Sequence, residues 1–529
     1  MLLPEATSVW SWWWSSSNKE GETLRNILTI LAPLFIIFWF IFAARKQNKE
    51  NPPLPPGPRG LPLVGYLPFL DSNLHHCFHK LASLYGPIFR FRLGSNECIV
   101  VSSPSLVKEV VRDHDVVFAN RAPLIAAKSL LFGSMDIAFS DYGVEWRKMR
   151  RIFATEMLSN ARLDASYYLR KQHVKKMINE TYEKAGQLVD IGDLAFLTLV
   201  GSVMSMVWGD TLKGNEGSVI DSEFRAVVNE QLELLGAPNI SDFFPLLARF
   251  DLQGIERKMR IISKRNEEIY DKAIHHYAGA SIQRKDFLGH LMQLTKFEDH
   301  ATSLTLPQVK AMLLDVVVGG TDTTVAMVEW AMAEILRHPE VMRNVQEELT
   351  EIVGLNKTVE EVHLPELKYL NAVAKETLRL HPPLPLLVPH CPSEPSTIGG
   401  YHIPKGARVF LNLYTIQRDP LIWEDPLLFK AERFLSGSAA EKMDYLGNHF
   451  QYLPFGSGRR MCPGIPLAER TSMLVLASML HAFQWKLPNG AVEVDLSEKF
   501  GIVVKKSKPL IAVPSPRISN LGLYSKNDK

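Results

Sequence analysis

The chain has 529 residues and carries 59 Lys and Arg against 57 Asp and Glu, a formal charge of +2, with 46% hydrophobic and 22% charged residues. That composition supplies a large buried core, and it excludes both a disordered polar chain and an overall basic field for holding nucleic acid. Its four cysteines, Cys77, Cys98, Cys391 and Cys462, include no CxxC pair, which excludes a disulfide-stapled secreted domain and fits a reducing compartment.

The first expected element is a membrane anchor. Residues 27–44, Ile27 to Ala44, contain no charge and approach the ~20 apolar residues that span a bilayer. Arg45, Lys46 and Lys49 follow, whereas Lys19, Glu20, Glu22 and Arg25 cancel before it, so the bulk is expected on the cytosolic side and residues 1–26 at the lumenal or interfacial side. A cleaved signal peptide is the competing reading, but the run exceeds the roughly 7–15 residues of such a core. Residues 45–62 form a basic, proline-rich hinge whose stretch NPPLPPGPRGLP favours stiff, extended backbone.

Residues 63–529 show no second linker and no internal repeat, and read as one cytosolic catalytic domain. Helical patterns cover Pro104–His114, Asp141–Leu158, Leu163–Ala185, Asp251–Tyr277, Pro307–Arg337, Pro339–Val353 and Pro365–Leu380, many opened by a proline or an acid. Strand signals pair Ile88–Leu93 with Cys98–Ser102 around Gly94-Ser95-Asn96, and Thr397–Ile403 with Val409–Leu413 around Pro404-Lys405-Gly406. The fold class expected is mainly α with a small β-sheet region.

Three segments carry chemistry. Phe455 to Gly464, FGSGRRMCPG, is a glycine-punctuated loop that presents one cysteine ahead of an apolar helical pattern from Leu467 to Leu487. Glycines let backbone approach a flat group, and N–H groups at a helix start favour a thiolate; a buried structural cysteine is the plain alternative. Val318 to Thr324, VGGTDTT, puts two glycines, an acid and hydroxyls into an apolar helix at a cost that asks for a functional reason, a kink with back-bonded threonines being the alternative. Glu376 and Arg379 are three residues apart, by itself an ordinary helix pair. His75, His76, Cys77 and His79 lack a second ligand set of zinc spacing and read as a histidine-bearing helix surface.

Phe455, Gly458, Arg460, Cys462 and Gly464 stand in register with the haem-binding motif FxxGxRxCxG, Glu376 and Arg379 with ExxR, and VGGTDTT with (A/G)Gx(D/E)T(T/S). By these motifs everything after the hinge resembles the microsomal, plant A-type cytochromes P450. The resemblance implies the cytochrome P450 fold behind one N-terminal transmembrane helix in the endoplasmic reticulum membrane. It implies haem b with Cys462 as the axial iron ligand, and O2 with NADPH electrons supplied by NADPH–cytochrome P450 reductase. Trp146 and Arg150, in the family's WxxxR, would hold the haem edge together with His390, Phe455, Arg460 and Gly464. Asp322 and Thr323 would deliver protons, while Glu376, Arg379 and Arg433 would form a buried network. Arg433 lies in AERF, where Ala431 replaces the usual proline. Arg147, Lys148 and Arg151 would form the basic patch that docks the reductase.

The pocket walls so implied are Leu130, Phe132, Met135, Val316, Gly320, Leu386, Leu387, Val388, Gly501, Ile502 and Val503, almost all apolar. The C-terminal stretches resemble a subgroup that includes δ-cadinene and valencene oxidases and a flavone hydroxylase. Apolar walls point first to hydroxylation of a sesquiterpenoid, a small lipophilic plant metabolite. A flavonoid held by Thr321 and Ser134 is the alternative, followed by aldoximes and xenobiotics. A haem protein that binds ligand without turnover and a reductase-independent peroxide lyase are readings of other classes; the basic patch argues against the first and Thr323 against the second.

Overall fold

The structure is a computed structural model that describes residues 31, 52–122, 124–130, 135–209, 215–278, 286–299, 302–490 and 493–524. The expected N-terminal segment 1–26, the anchor 27–44 apart from residue 31, hinge residues 45–51, and Phe132 and Ser134 lie outside the described residues.

The described part of the hinge is not a free spacer. Pro56 accepts the Arg90 N–H at 2.8 Å and Pro53 accepts that of His402 at 2.8 Å, and a side chain at Gly57 would collide with the Arg90 carbonyl. Helix α1 (Leu74–Tyr85) turns His75, Phe78 and Leu81 inward, spaced by three, and stops at Gly86, whose φ is 94°. His75 therefore does not lie on a helix surface: it is buried with Nε2 2.6 Å from Glu498 Oε2, while His79 turns to Thr415.

Strands β1 (Ile88–Leu93) and β2 (Asn96–Val101) pair antiparallel through the two-residue turn Gly94-Ser95, with Gly94 at φ 58°. A short strand β3 (Asn120–Arg121) follows, then α2 (Val144–Ile152), which ends in a π-turn reaching Met157. The helical body continues with α3 (Tyr167–Glu183), α4 (Ile191–Trp208) and α5 (Ile255–Ala278). The long helix predicted over 307–337 is two pieces, α6 (Leu306–Gly320) and α7 (Asp322–Arg337), broken at Thr321 where φ and ψ are −96° and −76°. A capping box between Thr305 and Gln308, with Pro307 in the first turn, fixes its start. Two helical stretches, Ile191–Trp208 and Leu306–Arg337, are long and apolar enough to cross a membrane, but each is 72% buried among other helices and they form the core.

Helices α8 (Pro339–Ile352) and α9 (Lys368–Leu380) lead into the rest of the sheet. Its strands β4 (His390–Cys391) and β7 (Arg408–Leu411) flank a separate hairpin of β5 (Ser396–Ile398) and β6 (Tyr401–Ile403). The hairpin expected between 397–403 and 409–413 is therefore replaced. Gly399 and Gly400, at φ 55° and 80°, turn the first segment back on itself. β7 instead runs parallel to β2 in a five-stranded sheet of order β1-β2-β7-β4-β3. Helix α10 (Ile465–Ala482) passes through the core into β8 (Phe483–Lys486), which pairs with β9 (Ile511–Pro516).

Candidate active site

Cys462 sits just ahead of α10, in a loop whose shape requires its glycines. Gly458 has φ 68°, and a Cβ there would lie 2.2 Å from the Val111 carbonyl oxygen. The loop closes through the Cys462 N–H, which donates to the Phe455 carbonyl at 2.9 Å. Gly464 N–H donates to Cys462 Sγ at 3.3 Å. Burial nevertheless raises the thiol; Gly464 N–H, Arg150 and Ile465 N–H pull the other way without prevailing. The thiolate expected from the helix start alone thus needs a bound metal to displace the proton.

The cysteine loop faces the α6–α7 break across a cavity of about 300 Å³, lined among others by Val316, Gly319, Gly320, Thr323, Leu387, Val388, Phe455 and Cys462. At the break, Thr321, Thr323 and Thr324 bond back to the carbonyls of Val317, Gly319 and Gly320, at 2.7, 2.7 and 3.0 Å. Thr323 reaches the cavity. Asp322 does not: it is buried on the other side of the helix and pairs with the half-exposed Lys505 at 2.6 Å.

Cationic groups crowd one end of the cavity. Arg150 on α2 donates to the Met461 carbonyl beside the cysteine. Arg460 donates to the carbonyls of Ala119, Ile137 and Ser140 and stacks 4.3 Å over Trp146, whose indole N–H donates to Ile137 at 3.0 Å. His390 Nδ1 lies 2.9 Å from the Phe118 carbonyl. Arg121, which the sequence reading missed, faces His390 across the β3–β4 pair. It donates to Val388 and leaves a buried Nε without a partner. Burial first, then Arg460 and Arg150, lowers Arg121 to about 9; burial lowers Arg150, and lowers Arg460 to about 10. Burial and Arg121 push His390 well below the ordinary imidazole range. Buried cations forced together around an orphaned N–H suit a dianionic edge, and the thiol on the cavity floor suits a soft metal, so these residues fit a haem.

Behind the cysteine side, Glu376 receives Arg379 at 2.7 and 2.8 Å, Arg433 Nε at 3.2 Å and the Lys430 N–H at 2.9 Å, with Glu376 and Arg379 wholly buried. Ala431 in place of proline leaves this network complete. On α2, Arg147 and Arg151 are exposed, whereas Lys148 is drawn toward Glu145 at 3.6 Å.

The expected pocket walls divide. Val316, Gly320, Leu387 and Val388 line the cavity. Leu130, Met135, Leu386, Gly501, Ile502 and Val503 are not among its lining residues. Leu130 packs into the helical core, Leu386 packs against the residues of α1 and β1, Ile502 and Val503 join the core, and Met135 is exposed. Phe153, Met327 and Asp315 supply wall instead.

A family model described as Cytochrome P450 matches residues 55–513. The chain belongs to the cytochrome P450 family. It is 36% identical over 496 residues to a flavonoid 3'-monooxygenase of Arabidopsis thaliana, covering 93% of this chain and 97% of that one. It is 37% identical over 510 residues to a 3,9-dihydroxypterocarpan 6A-monooxygenase of Glycine max, covering 93% and 98%. A zebra fish cytochrome P450 solved with progesterone superposes with a TM-score of 0.72 at 25% identity, covering 84% of this chain and 99% of that one. The protein is accordingly a P450 monooxygenase, an enzyme whose family works with haem, O2 and NADPH-derived electrons.

Proposed function

We propose that this P450 hydroxylates a flavonoid-type phenol, with electrons passed from NADPH by a membrane-bound flavoprotein reductase. One observation carries the substrate reading: flavonoid hydroxylases from Arabidopsis thaliana and Campanula medium are each 36% identical to the chain, over 93% and 88% of its length. The apolar walls that first pointed to a sesquiterpenoid accept a flat aromatic skeleton equally well, so wall hydrophobicity does not separate the two, and full-length similarity favours the phenol.

Haem held through Cys462 supplies the activation of dioxygen and the transfer of one oxygen atom to carbon. Arg150, Arg460, Arg121, Trp146 and His390 would bind its carboxylate edge, and Gly464 and Phe455 would let the loop lie close beneath it. Thr323 Oγ1 donates its proton to the Gly319 carbonyl at the cavity wall; rotated about its Cα–Cβ bond, that O–H would present the proton to the reacting space. Asp322, next to Thr323 in the chain and paired with the half-exposed Lys505, would relay protons from solvent toward it. The Glu376–Arg379–Arg433 network holds the cysteine side rigid, and Arg147 and Arg151 with Lys148 offer the docking patch for the reductase.

Exposed Leu61, Leu63 and Phe69 on one side of the Gly94 turn, with Leu246, Phe250 and Leu252 beyond its contact with Phe243, support a lipid-facing edge. Residues 27–44 would anchor it as a single pass in the endoplasmic reticulum membrane. Co-expression with a plant reductase in yeast microsomes tests the reading. The expected result is NADPH-dependent addition of one oxygen to flavones or flavanones; turnover of sesquiterpenes with none of flavonoids would overturn it.

A further inference from the structure

We propose that Asp315 is a specificity-determining residue that recognises a hydroxyl group on the substrate. This rests on the P450 reading of the cavity and deepens it by requiring an oxygenated ligand in place of a hydrocarbon.

Asp315 lies on α6, one turn before Gly319, and lines the cavity. Its Oδ2 accepts the Ile137 N–H at 2.8 Å. Among the described residues nothing is hydrogen-bonded to its Oδ1, and that atom is not sealed from the cavity. Of the other lining residues, Val316, Phe153, Leu387 and Met327 have no polar side-chain atom to offer, whereas Thr323, Arg121, Arg150 and His390 do.

The surroundings of this carboxyl favour its protonated form. Burial, then the neighbouring Asp136, holds it well above the carboxylate range, and the Ile137 N–H opposes this without prevailing. Asp136 comes from the segment ahead of α2 and Tyr270 from α5, and among the described residues no cationic side chain opposes that rise. Because Oδ2 already accepts an N–H, the proton belongs on Oδ1, where a cavity ligand competes for it with the neighbouring Asp136, whose buried Oδ2 has no hydrogen-bond partner. A hydroxylated ligand satisfies that O–H. A hydrocarbon of the same shape buries it unpaired, and a site built around such a bond rejects the analogue that lacks it. The competing role is purely structural, with Asp315 tethering residues 135–140 through Ile137.

The test uses the holoenzyme and two matched ligand pairs, apigenin with unsubstituted flavone and farnesol with farnesene, titrated through the haem absorption change. The wild type is expected to bind the more hydroxylated member about tenfold more tightly in at least one pair, and Asp315→Leu to narrow that gap to under threefold. Asp315→Asn, which keeps both the tether and a donor, is expected to keep most of the gap. In infrared difference spectra, a protonated-carboxyl band absent from Asp315→Asn should shift on adding apigenin and stay in place on adding unsubstituted flavone. That measurement stands even where Asp315→Leu fails to hold haem. Equal binding within both pairs, no binding by any hydroxylated member, a gap unchanged in Asp315→Leu, or a band that ignores the hydroxyl would each overturn the proposal. A gap seen only with farnesol would sink the flavonoid reading and leave this one standing; flavone turnover without a gap would do the reverse.

Discussion

On the cysteine side of the cavity, charged groups are met several times over: Glu376 takes two arginines and a backbone N–H, and Arg379 also reaches the carbonyls of Gln417 and Pro426 at 2.7 and 2.8 Å. On the facing side the helix breaks at Thr321, its hydroxyls fold back on their own carbonyls, and Asp315 leaves one oxygen unclaimed. The first wall is organised to stay still under a cofactor. The second keeps polar atoms in reserve for something that comes and goes. Chemistry that needs a fixed metal ligand and a replaceable substrate calls for that division, because a fully satisfied network resists displacement while an unsatisfied donor gains by binding.

Mutations on each side should break this contrast by different amounts. Cys462→Ser is expected to abolish both turnover and the thiolate-type absorption band of the reduced carbon monoxide complex; retention of both would show that another group holds the iron. Glu376→Gln removes the centre of a buried ion network and should cost about 3–5 kcal/mol, read as a large drop in the denaturation midpoint and loss of haem-loaded protein. Arg121→Leu should weaken haem retention roughly tenfold, since one charge-assisted hydrogen bond is worth about 1.5–3 kcal/mol, measurable by haem transfer to an excess of apo-acceptor.

On the opposite wall, Thr323→Ala should leave stability within about 1 kcal/mol, because its hydroxyl bond is a single local one, yet release several-fold more peroxide per NADPH consumed. Unchanged coupling would remove Thr323 from proton delivery. The smallest effect on turnover is expected away from both walls, at Glu498. Burial raises this carboxyl, but the adjacent His381 and His75 more than offset that and hold it below the ordinary range. A depressed acid stabilises the fold above its unfolded value of about 4.3 and loses that contribution as pH falls below it. Glu498→Gln should therefore cost about 1–2 kcal/mol at pH 7, with the difference from wild type shrinking only below about pH 4.5, as followed by thermal melts across that range.

Much of the cysteine side was legible in the chain itself, since its motifs are short and local. Cys462 with Gly458 and Gly464 lies in one loop, and Glu376 with Arg379 in one helical turn. The α6–α7 break was also foreshadowed by Gly319 and Gly320 within an apolar helix. Less legible was anything resting on strand pairing. Arg121 sits in FANRAP with no local signal, and only the β3–β4 ladder brings it beside His390. Leu130, Leu386 and Ile502 pack in the core and do not line this cavity, a difference the chain does not display because an aliphatic side chain looks the same whether it faces a cavity or the core. His75 was misjudged for a similar reason, its partner Glu498 being hundreds of residues away.

The sequence by itself determined the family, the motif that presents the candidate cysteine ligand, the acid–arginine pairing and a helix weakened at Gly319 and Gly320, because each depends on residues within a few positions of one another or on an unmistakable motif. Tertiary structure decided which cations converge at one end of the cavity, which aliphatic groups form its walls, and that Asp315 lines it. Those properties come from long-range packing that strips water from groups far apart in the chain, and no local pattern encodes that loss of solvent.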